Sequence, residues 1–170
     1  MSAASTGWHD FYTLIGAASA TLIGAMFVVV SLGSGVLRPE GAAATRVFLT
    51  STVAHLSAAL FGCALAMVPS LDPLSLGILI GLGGLVGFVY SSRNLFSIRQ
   101  HNVDRGDRIW YAALPFAGYA VMLAAAAGMP WRPPAGLDML ALALGLLLAA
   151  GIRNSWDMIV FLVGRTGRPN

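Results

Sequence analysis

Residues 91–111 read SSRNLFSIRQHNVDRGDRIWY. Arg93, Arg99, Arg105 and Arg108 crowd this polar segment, and on either side lies an apolar stretch of about 20 residues, the length needed to cross a bilayer. The same alternation repeats outward. Arg38 and Arg46 follow the first apolar stretch, Arg165 and Arg168 follow the fifth, and the N-terminal tail and remaining loops hold only Arg132. Eight of the ten arginines thus fall on alternate connections of a chain that contains no lysine. This is the positive-inside pattern, and it predicts five spans with the N-terminus outside and the C-terminus in the cytoplasm. The expected fold is an all-α integral membrane protein, a five-transmembrane-helix bundle of one domain over 1–170, with spans near 11–32, 46–68, 74–94, 108–128 and 137–163.

Composition agrees. The chain is 57% hydrophobic and 10% charged, with a mean hydropathy of +0.77, whereas soluble domains carry roughly 25% charged residues. The pI near 9.6 follows from a basic inner face and does not imply nucleic acid, since no arginine cluster is interleaved with aromatics. Lone Cys63 has no internal disulfide partner. The first ten residues lack the basic region of a cleaved signal peptide, so the first span reads as a retained anchor.

Small residues recur along the spans. Gly16, Ala20 and Gly24 repeat every fourth residue in the first, a stripe that lets another helix approach and suits self-association. Ala54, Ala58, Gly62 and Ala66 form a second stripe. Gly77 with Gly81, and Gly83 with Gly87, make the third span the most glycine-rich and suggest a central position for it. The turn from Pro69 to Pro73 makes spans two and three an antiparallel hairpin. Residues 91–94 are expected to end the third span, and 96–107 to form a solvated loop. Trp8 and Tyr12 outside, and Trp110 and Tyr111 inside, read as interfacial anchors. Pro115 reads as a kink, and the stretch Met129 to Pro134 as a stiff outer turn.

Polar side chains inside apolar spans are costly and are the first candidates for function. Arg153, Asn154 and Asp157 share a helix face, as do Ser51 and His55. Counted inward from Arg165, Asp157 lies about 12 Å and Arg153 about 18 Å deep; from Arg46, His55 lies about 13.5 Å deep. Matched depth predicts one buried cluster of Ser51, His55, Arg153, Asn154 and Asp157, either an internal ion pair that fixes helix register or a proton or ion pathway in which His55 titrates. Catalysis is not expected: no HExxH, GxSxG, Walker or dinucleotide motif occurs, and Ser51 and His55 on one helix make a poor nucleophile–base pair. No cofactor or metal is expected either. Retinal would need a lysine, bis-histidine haem a second intramembrane histidine, and zinc a Cys/His cluster. The seven methionines read as packing.

Four stretches, FYTLIGAASATLIGAMFVVVSL (11–32), TSTVAHLS (50–57) with the later Pro69, GLGGLVGFVYS (81–91) and GIRNSWD (151–157), resemble a group of small bacterial polytopic membrane proteins. Two positions depart from that group's pattern: Arg153 stands where it usually has histidine, and Ser51 where it has proline. Arginine does not titrate, so Arg153 cannot replace a proton-carrying histidine. The resemblance implies a multi-pass protein of the bacterial inner membrane, marks His55, Asn154, Trp156 and Asp157 as motif positions, and implies no activity. Two functions are carried forward: a homo-oligomeric ion or proton channel or transporter, and a non-catalytic scaffold or accessory subunit that docks a membrane partner protein. The bilayer is the partner common to both.

Overall fold

The computed structural model describes residues 3–33, 39–100 and 109–166, with side chains over 8–31, 49–94 and 109–160. Among them every element is helical: α1 (Ala3–Gly33), α2 (Pro39–Ala66), α3 (Pro73–Gln100), a π-helical turn (Ile109–Ala113), α4 (Leu114–Gly128) and α5 (Pro133–Thr166). With the π turn and α4 taken as one segment, five helices are long and apolar enough to cross a membrane. Such segments satisfy their own backbone N–H and C=O groups, which is what an apolar solvent demands.

The helices overrun the expected spans, for local reasons. Pro39, Pro73 and Pro133 open α2, α3 and α5, where the missing proline N–H costs nothing and the fixed φ suits the first turn. Helix α2 therefore starts seven residues before Arg46. Asp72 caps α3: its Oδ1 accepts from the N–H groups of Leu74 (2.9 Å) and Ser75 (3.1 Å), and its Oδ2 from the Ser75 hydroxyl (2.6 Å). That hydroxyl, and then the backbone donors, hold the Asp72 carboxyl below its ordinary range. At its far end α3 passes residues 91–94 and runs to Gln100, so the start of the expected 96–107 loop is helical. The rest of that loop, 101–107, and the side chains of Arg38, Arg46, Arg99, Arg105, Arg108, Arg165 and Arg168 lie outside the described residues.

Distortion in the fourth span falls before the proline. Pro115 sits in the first turn of α4, and the preceding residues Ile109–Ala113 are wound as a π turn. Proline cannot donate to the carbonyl four residues back and its ring crowds that carbonyl; a wider turn relieves both. The turn between α4 and α5 is held by the N–H groups of Trp131 and Arg132, which both donate to the Gly128 carbonyl. Its last two expected residues, Pro133 and Pro134, already belong to α5.

Helices α2, α3, α4 and α5 form a ring in that order, with α5 also packed on α2, and α1 leaning on α2 and α5. The central helix is α5, not the glycine-rich α3. Within the apolar windows 44% of α5 is buried against 11% of α1, which places α1 at the periphery. Glycines set the close approaches. A Cβ on Gly77 would stand 2.8 Å from the Ala126 carbonyl oxygen, and one on Gly62 2.7 Å from Leu144. In α3 it is Gly84, against Leu123, and not Gly83 that continues the packed stripe; Gly83 has no neighbour within 4 Å. Outward-facing Leu14, Phe27, Phe61, Ile78, Leu82 and Val86 leave a broad apolar exterior, far larger than the patches a water-soluble monomer carries.

Candidate functional site

The register of the helices decides which polar groups meet. Across the antiparallel α2–α5 contact, Gly62 faces Leu144 and Gly151 faces Leu56. This register brings His55 to the level of Gly151 and Ile152, and Ser51 to that of Ser155 and Trp156. His55 and Asp157 are therefore separated by five to six residues of α5, about 8 Å along the axis. The expected single cluster resolves into two hydrogen-bonded groups, one above the other.

The inner group centres on His55, which is 1% exposed. Its Nε2 stands 3.2 Å from the Ser51 hydroxyl, one turn away on α2. Its Nδ1 stands 3.0 Å from the hydroxyl of Tyr119 on α4. Both ring nitrogens are thus engaged, one to a neighbour on its own helix and one across the ring of helices. A neutral imidazole donates from one nitrogen and accepts at the other, so Ser51, His55 and Tyr119 form a continuous chain whose direction is set by the tautomer. Tyr119 reaches this position because Gly87 of α3 has no side chain; a Cβ there would run into the tyrosine ring. Tyr90 adds an edge contact to the imidazole, with ring centroids 6.5 Å apart.

The outer group is built on Asp157. Arg153 Nε lies 3.2 Å from Asp157 Oδ2, one turn apart on α5. The contact is close without hydrogen-bond alignment, since Nε makes no hydrogen bond. The same carboxylate oxygen accepts from the hydroxyl of Tyr111 in the π turn. Neither charge is deeply buried: the side chains are 42% and 24% exposed. In the α3–α4 register set by Gly84 with Leu123 and Gly87 with Tyr119, Tyr111 falls at the level of Leu95 and Phe96, within one turn of Arg93. Arg93 is 20 residues from Pro73, about 30 Å and hence about one hydrocarbon thickness. The Tyr111–Asp157 pair therefore sits at the arginine-rich edge of the apolar region, shallower than counting from Arg165 suggests, because α5 continues past that edge to Thr166.

Asn154 lies between the two groups. It is 2% exposed, and its Oδ1 has no hydrogen-bond partner. Neighbouring Ser155 is satisfied by the Gly151 carbonyl at 2.8 Å. Toward the opposite edge the core is apolar, packed by Ile80, Met122, Leu140 and Leu144. The buried polar groups described there are closed off: Tyr12 donates to the Leu137 carbonyl (2.9 Å) and Ser19 to that of Ile15 (2.9 Å). Among the described residues, no three His, Cys, Asp or Glu side chains converge as a metal site.

Of the packing stripe on α1, Gly16 faces α2, where a Cβ would stand 3.3 Å from Cys63 Cβ. Ala20 and Gly24 are exposed, and Gly24 has no neighbour within 4 Å. Sequence reasoning missed Tyr119 and read Tyr111 only as an anchor. The signal was present: a tyrosine inside an apolar helix must find a partner for its hydroxyl, and His55 has a second ring nitrogen that Ser51 alone does not satisfy.

The class these features define is an all-helical, polytopic bundle whose five apolar helices suit a membrane and whose buried polar residues gather toward the arginine-rich end. Comparison with protein-family models, with curated proteins and with solved structures finds no match to this chain.

Proposed function

We propose that this chain is a multi-pass protein of the bacterial inner membrane, N-out and C-in, that assembles as a homo-oligomer and moves protons or a small ion. The observation that carries this reading is the Ser51–His55–Tyr119 chain. A histidine with both nitrogens engaged inside an apolar span can take a proton from one side and release it on the other by exchanging tautomers. Asp157 with Tyr111, at the arginine-rich edge, is suited to exchange protons with water, and Asn154 offers an acceptor between the two groups. Arg153 does not titrate; it supplies a fixed positive charge one turn from Asp157. The exposed Ala20 and Gly24 face of α1 is the surface for a second copy, which would supply the rest of the path.

The test is proton flux in proteoliposomes. Purified protein should dissipate an imposed pH gradient faster than empty vesicles, and both His55→Ala and Tyr119→Phe should abolish the excess. Flux equal to that of empty vesicles would refute the reading. Orientation is checked separately: reporters fused at Asn170 and within 96–107 should both be cytoplasmic, and a periplasmic signal from either overturns N-out/C-in.

One observation favours a second reading, a non-catalytic scaffold or accessory subunit. The half of the core away from the arginine-rich end is packed with apolar side chains, so the described residues of a single copy form no continuous polar path. On this reading the two polar groups fix helix register and nothing moves through them.

A further inference from the structure

Helices α2 and α3 are joined by a short turn yet diverge from it, leaving an open groove of about 610 Å³ between them. Its walls are mostly small: Ala54 and Ala58 on α2, Gly83 and Gly87 on α3. Tyr119 forms its floor, and Thr50 and Tyr90 line its arginine-rich end. The volume falls within the range of sites that hold one small molecule. An apolar groove that opens on a bilayer does not stay empty, because a void forfeits the contacts its walls would otherwise make.

We propose that this groove holds one acyl chain of an anionic phospholipid from the leaflet at the arginine-rich face, with the lipid phosphate on Arg93. Length is the first argument. From Gly83 to Arg93 is ten residues of α3, about 15 Å, which is half of the ~30 Å hydrocarbon core and so the depth of one leaflet. Charge is the second. Gly83, Gly87 and Tyr90 lie along one side of α3, and Arg93 follows one turn later on its flank, exposed and making no ion pair with any described residue. A guanidinium at the hydrocarbon edge, at the open end of a one-leaflet slot, is placed to bind a phosphate through paired N–H groups, and its aliphatic stem can lie along the apolar wall. Tyr90 sets its ring inside the slot near the edge, as interfacial tyrosines do. The acyl chain would lie against the Tyr119 ring, the residue that holds His55 from the other side, so that lipid in the groove supports the buried hydrogen bond. The inference rests on the bundle lying in a bilayer and is independent of whether protons move.

The experiment counts lipids retained per protomer by native mass spectrometry after titrating the detergent-solubilised protein with phosphatidylglycerol or phosphatidylcholine. Wild type should keep one phosphatidylglycerol per protomer and release phosphatidylcholine at least tenfold more readily. Gly83→Leu puts a side chain into the groove from a position where nothing lies within 4 Å of the new Cβ; it should lose the retained lipid. Val86→Trp, at a 73% exposed position on the same wall, is the second blocking variant, read if the first folds poorly. Arg93→Gln should erase the preference for phosphatidylglycerol while leaving phosphatidylcholine unchanged. Gly24→Leu, equally open but on α1 and away from the groove, should retain phosphatidylglycerol as wild type does, whatever its effect on oligomer content. Equal retention of the two lipids, or full retention in both blocked variants, overturns the proposal. So does a blocked variant that keeps its lipid and falls from oligomer to monomer, which would make a second copy the occupant.

Discussion

Replacing Tyr119 with phenylalanine removes one oxygen from the centre of the bundle and tests the most consequential contact in it. His55 and Tyr119 are 1% and 2% exposed and meet at 3.0 Å. Water therefore cannot replace the lost hydroxyl without opening the helices. A neutral hydrogen bond is worth about 0.5–1.5 kcal/mol net, and a buried group left unpaired costs about 1–3 kcal/mol. Hydrogen bonds between helices in a bilayer run weaker, averaging about 0.6 with a maximum near 1.7 kcal/mol. His55 also keeps Ser51 on its other nitrogen, so only one of its two groups is orphaned. Together these place the loss for Tyr119→Phe at about 1–2 kcal/mol, toward the low end.

A single variant cannot separate the hydrogen bond from a general loosening around the ring. The assay is therefore a double-mutant cycle of Tyr119→Phe and His55→Leu, followed by reversible unfolding in mixed micelles. If the two side chains interact as the structure places them, the coupling energy should be about 1 kcal/mol. Uncoupled sites add to within about 0.3–0.5 kcal/mol. A coupling inside that margin would refute the contact, and with it the relay that depends on it.

Three further outcomes follow from the packing and the charges. Gly16→Leu should destabilise the protomer, because its Cβ would already crowd Cys63 at 3.3 Å, whereas Gly24→Leu, with nothing within 4 Å, should leave protomer stability within about 0.5 kcal/mol of wild type and alter only oligomer content on a sizing column. Asp157→Asn should cost about 1 kcal/mol in thermal unfolding rather than the 3–5 of a fully buried pair, since both partners are partly exposed and the amide oxygen can still accept from Tyr111; a loss above 3 kcal/mol would show the pair to be desolvated. Asp72, whose carboxyl is held below its ordinary range, contributes to the start of α3 at pH above the free carboxylate value and loses that contribution as pH falls through its lowered value; the protection of the Leu74 and Ser75 amides, taken relative to the intrinsic exchange rate at each pH, should fall only in acid, and protection unchanged between neutral and acid pH would rule out the cap.

The number and order of the spanning helices were legible in the sequence because each apolar stretch matches a bilayer and the arginines punctuate them. Helix ends were not, since the eye stops where hydropathy stops. A helix entering water keeps its backbone bonds, so α3 runs to Gln100 and α2 begins at Pro39, where proline at a first helical position was the overlooked signal. The centre of the bundle was misplaced for a related reason. Glycine frequency marks close approach but not how many neighbours approach: the stripe of α3 serves one partner, α4, while leucine- and alanine-rich α5 touches three. Gly83 and Gly84 show the limit of counting by fours, because adjacent glycines present different faces and only packing tells which is covered.

For the polar site, spacing along a helix proved reliable and depth across helices did not. The pairs one turn apart, Ser51 with His55 and Arg153 with Asp157, follow from 3.6 residues per turn alone. Comparing depths on α2 and α5 required a common origin, and the arginines chosen for it, Arg46 and Arg165, lie on helices that overrun the apolar layer by different lengths. An error of one turn is only about 5 Å, but that decides whether a carboxylate meets a histidine or a tyrosine. Both tyrosines that complete the site lie on one segment, Tyr111 in the π turn and Tyr119 eight residues on. On an unbroken α-helix that spacing turns the second about 80° from the first; the wider winding before Pro115 changes that angle, so one segment serves α5 at its start and α2 further along. The proline is thereby tied to the site: it imposes the local winding that lets a single helix bond two others at two depths.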